Sequence, residues 1–94
     1  MPHPNDADDI EFDEHNESEL ARHSISAREV VQVLSNEPVW LRNKKGRAAD
    51  WCAVGRTDGG RALTIPVLFL GELARLRPIT GWDSSPSERT KYLR

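Results

Sequence analysis

Few residues of this 94-residue chain have types and spacing suited to chemistry. His23 ends a short polar helical pattern, FDEHNESELARHSIS, over Phe12 to Ser26. A helix C-terminus favours an imidazolium, which suits a proton donor or a phosphate contact; a satisfied helix cap is the other reading. Arg75 and Arg77 flank Leu76 and so share one face if that segment is a strand. Trp40, Trp51 and Trp82 accompany Lys44, Lys45 and Arg47 of the basic turn NKKGR. Rings beside cations can stack on unpaired bases within a basic funnel, and packing in the core or on the sheet is the competing use, strongest for Trp51. His3, His15 and His23 have no spacing that would gather them on one metal ion. A single cysteine, Cys52, sits in an apolar strand pattern and reads as a small buried hydrophobe, which excludes disulfide scaffolds and cysteine-based zinc sites for the monomer. No metal and no other cofactor is expected.

Charge is distributed unevenly. Residues 1–20 hold eight of the 15 acidic side chains and none of the 13 Lys and Arg, so that part is −8 and residues 21–94 are +6. A basic body behind an acidic arm fits contact with a polyanion, with the arm screening the body or adding solubility; solvated surface charge is the plainer reading. With 37 % hydrophobic and 30 % charged residues, the chain has material for one small domain with a thin core. No run approaches the roughly 18 apolar residues of a membrane helix, and the start MPHPNDADDIEFDE is acidic where a signal peptide is basic and then apolar. The expectation is a cytoplasmic protein that does not engage membranes.

The elements that must position these residues follow from period and caps. Residues 1–9, with two prolines and no periodicity, read as a disordered acidic tail, and residues 10–94 as the single domain. Ile10 to Phe12 suit a short edge strand, and Asp13 caps a helix to about His23 on which Asn16, Leu20 and His23 share a face. Only Leu20 and Ala21 of that helix are apolar, so Asn16 and His23 are expected to hydrogen-bond to the body. Ser26 and Glu29 form a capping box for a second helix with the stripe Ala27, Val30, Val31 and Leu34. Four strand patterns follow, Val39 to Arg42, Trp51 to Arg56, Ala62 to Leu70 and Leu73 to Trp82, separated by NKKGR, Thr57-Asp58-Gly59-Gly60 and Gly71-Glu72. Pro66 argues for an edge position or a bulge in the third of them. Ser85, Pro86 and Glu88 open a short last helix. The fold class is therefore α+β: two N-terminal helices packed on an antiparallel meander, with a short C-terminal helix.

This order resembles the BrnT-type toxin family, which has the fold of RelE-like ribonucleases. The resemblance rests on Phe12-Asp13 with Asn16, then Leu20, Arg22-His23, Ile25-Ser26 and Glu29, on Val54-Gly55-Arg56, on Arg75-Leu76-Arg77 with Ile79-Thr80, and on Ser85 with Glu88-Arg89. It implies the toxin component of a bacterial type II toxin–antitoxin system and metal-independent cleavage of RNA. It implies as partners RNA and a cognate antitoxin, in the family a small DNA-binding protein that wraps the toxin. His23 would then be the proton-transfer group; Arg56, Arg77 and Arg89, with Arg75, would bind phosphate or stabilise the transition state; Lys44, Lys45, Arg47 and Trp82 would contact RNA. Where the family reads Ala-Arg-Arg-Ala, this chain has Gly81-Trp82-Asp83-Ser84. Both expected arginines are absent, and cleavage through a charged phosphorane depends on such cations. The alternative is a catalytically weakened BrnT-like module that binds RNA or a partner protein.

Overall fold

The computed structural model describes residues 3–44 and 47–93. Each α-helix starts at a capping box. Asp13 Oδ1 accepts from the Asn16 N–H (3.0 Å) and Asn16 Oδ1 accepts from the Asp13 N–H (2.8 Å), which opens α1 (Glu14–Ala21). Ser26 with Glu29 opens α2 (Ala27–Ser35), and Ser85 with Glu88 opens α3 (Pro86–Tyr92). Such caps satisfy amide donors that a helix start leaves orphaned. The strands are β1 (Asp9–Ile10), β2 (Val39–Arg42), β3 (Trp51–Arg56), β4 (Ala62–Leu70), β5 (Arg75–Pro78) and β6 (Trp82–Asp83). They form one sheet in the order β1-β5-β4-β3-β2, with β6 also pairing β4.

The antiparallel meander holds for β2 to β5, and two features correct the expected sheet. It is mixed, because β1 lies parallel to β5 with Asp9 opposite Arg75 and Ile10 opposite Leu76. The strand expected over Leu73 to Trp82 is also divided: Gly71–Leu73 form a 3-10 turn, Ala74 takes a left-handed φ of 48°, and residues 79–81 separate β5 from β6. That division explains Pro66, which lies not at an edge but in central β4. The Pro66 carbonyl accepts from the Ile79 N–H (2.9 Å), so Pro66 turns its missing donor toward the interval between β5 and β6, where no ladder bond is lost.

Register sorts the side chains onto two faces. Leu63, Ile65 and Val67 of β4 and Leu76 of β5 meet Leu20, Ile25, Val30 and Val33 in the core beneath α1 and α2. Gly55 lets α2 approach β3, since a Cβ there would meet Pro38 Cβ at 3.1 Å and Val33 Cγ1 at 3.2 Å. The opposite face carries Leu41, Cys52, Thr64, Pro66 and Trp82, and the short α3 borders it.

In place of a free tail, residues 3–9 are laid against the helix-covered side. His3 Nδ1 accepts from the Asn5 N–H (3.1 Å) and caps a 3-10 turn over Pro4–Asp6, Pro4 is buried, and Asn5 Oδ1 accepts from Trp40 Nε1 (2.7 Å). His3 also meets the Trp40 and Trp51 rings edge-on. These anchors lie more than thirty positions away along the chain, so local composition carries no sign of them.

α1 is held by hydrogen bonds, as its polar sequence requires. Asn16 is 1 % exposed, and its Nδ2 donates to the carbonyls of Glu11 (2.9 Å) and Pro78 (3.0 Å). The same side chain thereby ties the helix start to the end of β5. Removing it leaves buried acceptors without donors, which costs about 1–3 kcal/mol for each group. Asn16→Ala is therefore expected to lower unfolding free energy by about 3 kcal/mol in urea titrations; a loss below about 0.5 kcal/mol, the range of an ordinary surface change, would show that another contact holds the helix.

Candidate nucleic-acid interface

On the open face, two adjoining hollows of about 440 and 400 Å³ share Asn43, Lys44, Cys52 and Trp82. Arg47, Pro66 and Ile79 extend the first, and Glu88, Lys91 and Tyr92 of α3 extend the second. The floor is apolar sheet and the rim is basic. Trp82 is 37 % exposed, and its Nε1 donates to Glu88 Oε1 (3.3 Å), which fixes the ring beside the hollow. Lys91 Nζ lies 5.4 Å from the Tyr92 ring centroid. Burial is the first cause, and the Glu88 charge the second, that push the Cys52 thiol up, so it stays protonated as a lining group rather than a nucleophile.

Of the residues read as RNA-binding, Lys44, Arg47 and Trp82 are brought together here. Lys45 lies outside the described residues. Arg75 falls on the same sheet face as Trp82 but is 3.4 Å from Glu11 and 3.8 Å from Asp9. Trp40 and Trp51 are on the other face, edge-on to one another, with Arg42 stacked 4.8 Å from the Trp51 ring.

The four residues read as catalytic are dispersed. His23 follows α1 on the helix-covered side, with Nε2 3.6 Å from Glu19. Arg77 is held by Glu11 (2.9 Å) and Asp13 (2.7 Å). Arg56 donates to the carbonyls of Gly60 (3.0 Å) and Leu93 (3.4 Å), and it lines a separate hollow with Tyr92. Arg89 donates to the Ser84 carbonyl (2.8 Å), closing the start of α3 onto β6. Among the described residues no group of three or more His, Cys, Asp or Glu side chains is placed to hold a metal ion.

Arg61, a residue that the sequence does not single out, is the most connected cation among the described residues. It bonds Glu29 (2.9 Å), Asp83 (2.8 Å) and the Ser24 carbonyl (2.8 Å), joining the turn between the helices to β6. Asp83, at a position where the resemblance expects arginine, is thus the partner of another arginine. Neighbouring Gly81 is equally constrained, because a Cβ there would meet Ile25 Cδ1 at 3.1 Å and Leu20 Cδ2 at 3.3 Å. Lys91 and Tyr92 were legible in principle: with Glu88 they recur at i, i+3 and i+4 of the capped last helix and so share a face. Nothing local marks Arg61.

The chain matches no model of a known protein family and no curated protein.

Asp13, Glu19, Glu29 and Asp83 titrate below the ordinary carboxylate range. Arg77 is the main cause for Asp13 and Arg61 for Asp83, while Glu29 is lowered first by the Ser26 amide and then by Arg61, and Glu19 first by the Thr80 hydroxyl. A carboxyl with a depressed folded pKa stabilises the fold above its unfolded pKa and loses that contribution as pH falls through the folded one. Urea midpoints should therefore decline from about pH 5 downward. Asp13→Asn, which keeps a capping acceptor, and Asp83→Asn should each flatten the decline; midpoints that rise on acidification would contradict the latches.

Proposed function

We propose that this chain is a RelE-fold, BrnT-like module of a type II toxin–antitoxin pair, cytoplasmic, with a cognate antitoxin as partner, that binds single-stranded RNA across the open face of its sheet. The observation that carries the reading is the exposed Trp82 ring flanked by Lys44 and Arg47 over one apolar floor. A ring stacks on any base, and the cations follow the backbone phosphates. The element order, with two helices on one face and the other face open, supports the fold part of the reading.

The stronger form, in which the chain also cuts RNA, draws on His23, Arg56, Arg77 and Arg89 from the resemblance. It lacks the paired cations near Trp82, and Arg77 already has two carboxylates. Binding without efficient cleavage is the form that the geometry favours.

Fluorescence titration with a short single-stranded RNA tests this. Trp82→Ala should weaken binding about tenfold, the scale of one stacked base. Lys44→Ala and Arg47→Ala should each reduce the log K against log salt slope by about 0.7. Unchanged affinity in Trp82→Ala would remove the reading. Incubating end-labelled RNA in EDTA separates the two forms: RNA returned uncut leaves the binding module, whereas fragments ending in 2′,3′-cyclic phosphate establish the ribonuclease. If Trp82→Arg is used to restore one cation, Asp83 must be left in place, because Asp83→Arg would set two guanidiniums together at Arg61.

A further inference from the structure

The face that carries Trp82 continues along β4 to two more cations. Trp82 pairs with Thr64, Arg77 with Leu68 and Arg75 with Leu70, so strand alternation sets all three on one face beside β4. The span from Thr64 to Leu70 is about 20 Å of strand. The two arginines are held differently. The Arg77 side chain is 20 % exposed and has carboxylate oxygens of Asp13 at 2.7 Å and of Glu11 at 2.9 Å. The Arg75 side chain is 38 % exposed, with Glu11 at 3.4 Å and Asp9 at 3.8 Å. Both distances exceed the about 2.7–2.9 Å of a well-made charge-assisted hydrogen bond. Arg75 Nε is itself buried and has no hydrogen-bond partner among the described residues. Nor does β1 need these carboxylates to stay in place, because the Asp8 N–H donates to the Ala74 carbonyl (2.7 Å) and the Glu11 N–H to the Leu76 carbonyl (2.7 Å).

We propose that Arg75 is a latent phosphate contact of the RNA surface, with Asp9 and Glu11 as built-in competitors that bound RNA displaces. The inference rests on the RNA reading of the open face and adds its regulation. A phosphodiester offers two oxygens that a guanidinium takes with Nε and a terminal nitrogen in parallel, and neither Asp9 nor Glu11 provides that pairing at its distance. Partly exposed ion pairs are individually weak, so exchanging them for phosphate costs little. A strand already stacked on Trp82 and held by Lys44 and Arg47 presents its next phosphates at high effective concentration. Phosphate without that tether leaves the carboxylates in possession.

The probe is a single-stranded RNA of about twelve nucleotides, titrated by tryptophan fluorescence over a series of salt concentrations. The double variant Asp9→Asn, Glu11→Gln, checked for folding by circular dichroism, should bind about fivefold more tightly at low salt. Its log K against log salt slope should steepen by about 0.7, the mark of one further phosphate contact. In an Arg75→Gln background the same two substitutions should change affinity by less than about twofold. In the native protein the Arg75 Nε–H resonance should shift and exchange more slowly with water once RNA is bound, and this readout decides alone if the double variant does not fold. The inference is overturned if the double variant binds as the wild type does, if its gain persists without Arg75, or if RNA leaves the Arg75 resonance unmoved. Trp82→Ala separates the two levels of failure. Weakened binding in Trp82→Ala with an unmoved Arg75 resonance removes only the competitor, whereas RNA that binds Trp82→Ala as well as the wild type removes the RNA surface too.

Discussion

Pairing between carboxylates and the arginines in or next to the central strands is the constraint on which the rest depends. Arg77 is clasped by Glu11 and Asp13, and Arg61 by Glu29 together with Asp83. Partly exposed ion pairs of this kind are individually worth little. Here they add to capping bonds and to buried Asn16, and they act where hydrophobic burial is thinnest: α1 buries only Asn16 and Leu20. The same pairing decides which cations are left for a polyanion. Arg75, Arg77 and Arg61 spend their charge within the fold, and Lys44, Arg47 and Lys91 stand around the open face without a recorded ion pair among the described residues.

The acidic arm consequently has two roles. Asp9, Glu11 and Asp13 neutralise the cations of β5, and His3 and Asn5 anchor the arm to Trp40 and Trp51 on the helix-covered side. Sheet alternation separates the faces: Trp82 opposes Thr64 on one side, while Asp83, one residue on, turns to Arg61 on the other. A change of a single residue in that register would exchange the stacking ring for the latch.

Much of the fold was legible because its signals are local. Three capping boxes place the three α-helices, and the patterns at Val39, Trp51 and Ala62 begin where β2, β3 and β4 begin. The parallel pairing of β1 and the anchoring of His3, Pro4 and Asn5 were not legible, since their partners Arg75, Leu76, Trp40 and Trp51 are distant in sequence. The site divided in the same way. Lys44, Arg47 and Trp82 read as RNA contacts and do line one hollow, because a turn beside one strand and a ring on another meet across β3 and β4. His23, Arg56, Arg77 and Arg89 carried chemistry by type and resemblance, but type does not reveal that a carboxylate or a carbonyl already holds a guanidinium.

The central claim is that the cations spared from internal pairing, together with Trp82, form the RNA surface. Mapping ultraviolet cross-links between the intact protein and a single-stranded RNA by peptide mass spectrometry tests it most directly. The account predicts adducts at Trp82 and on peptides containing Lys44, Arg47 and Cys52, with none around His23 or in α2. Cross-links concentrated at His23, at Arg61 or along α2, with Trp82 unmodified, would contradict it.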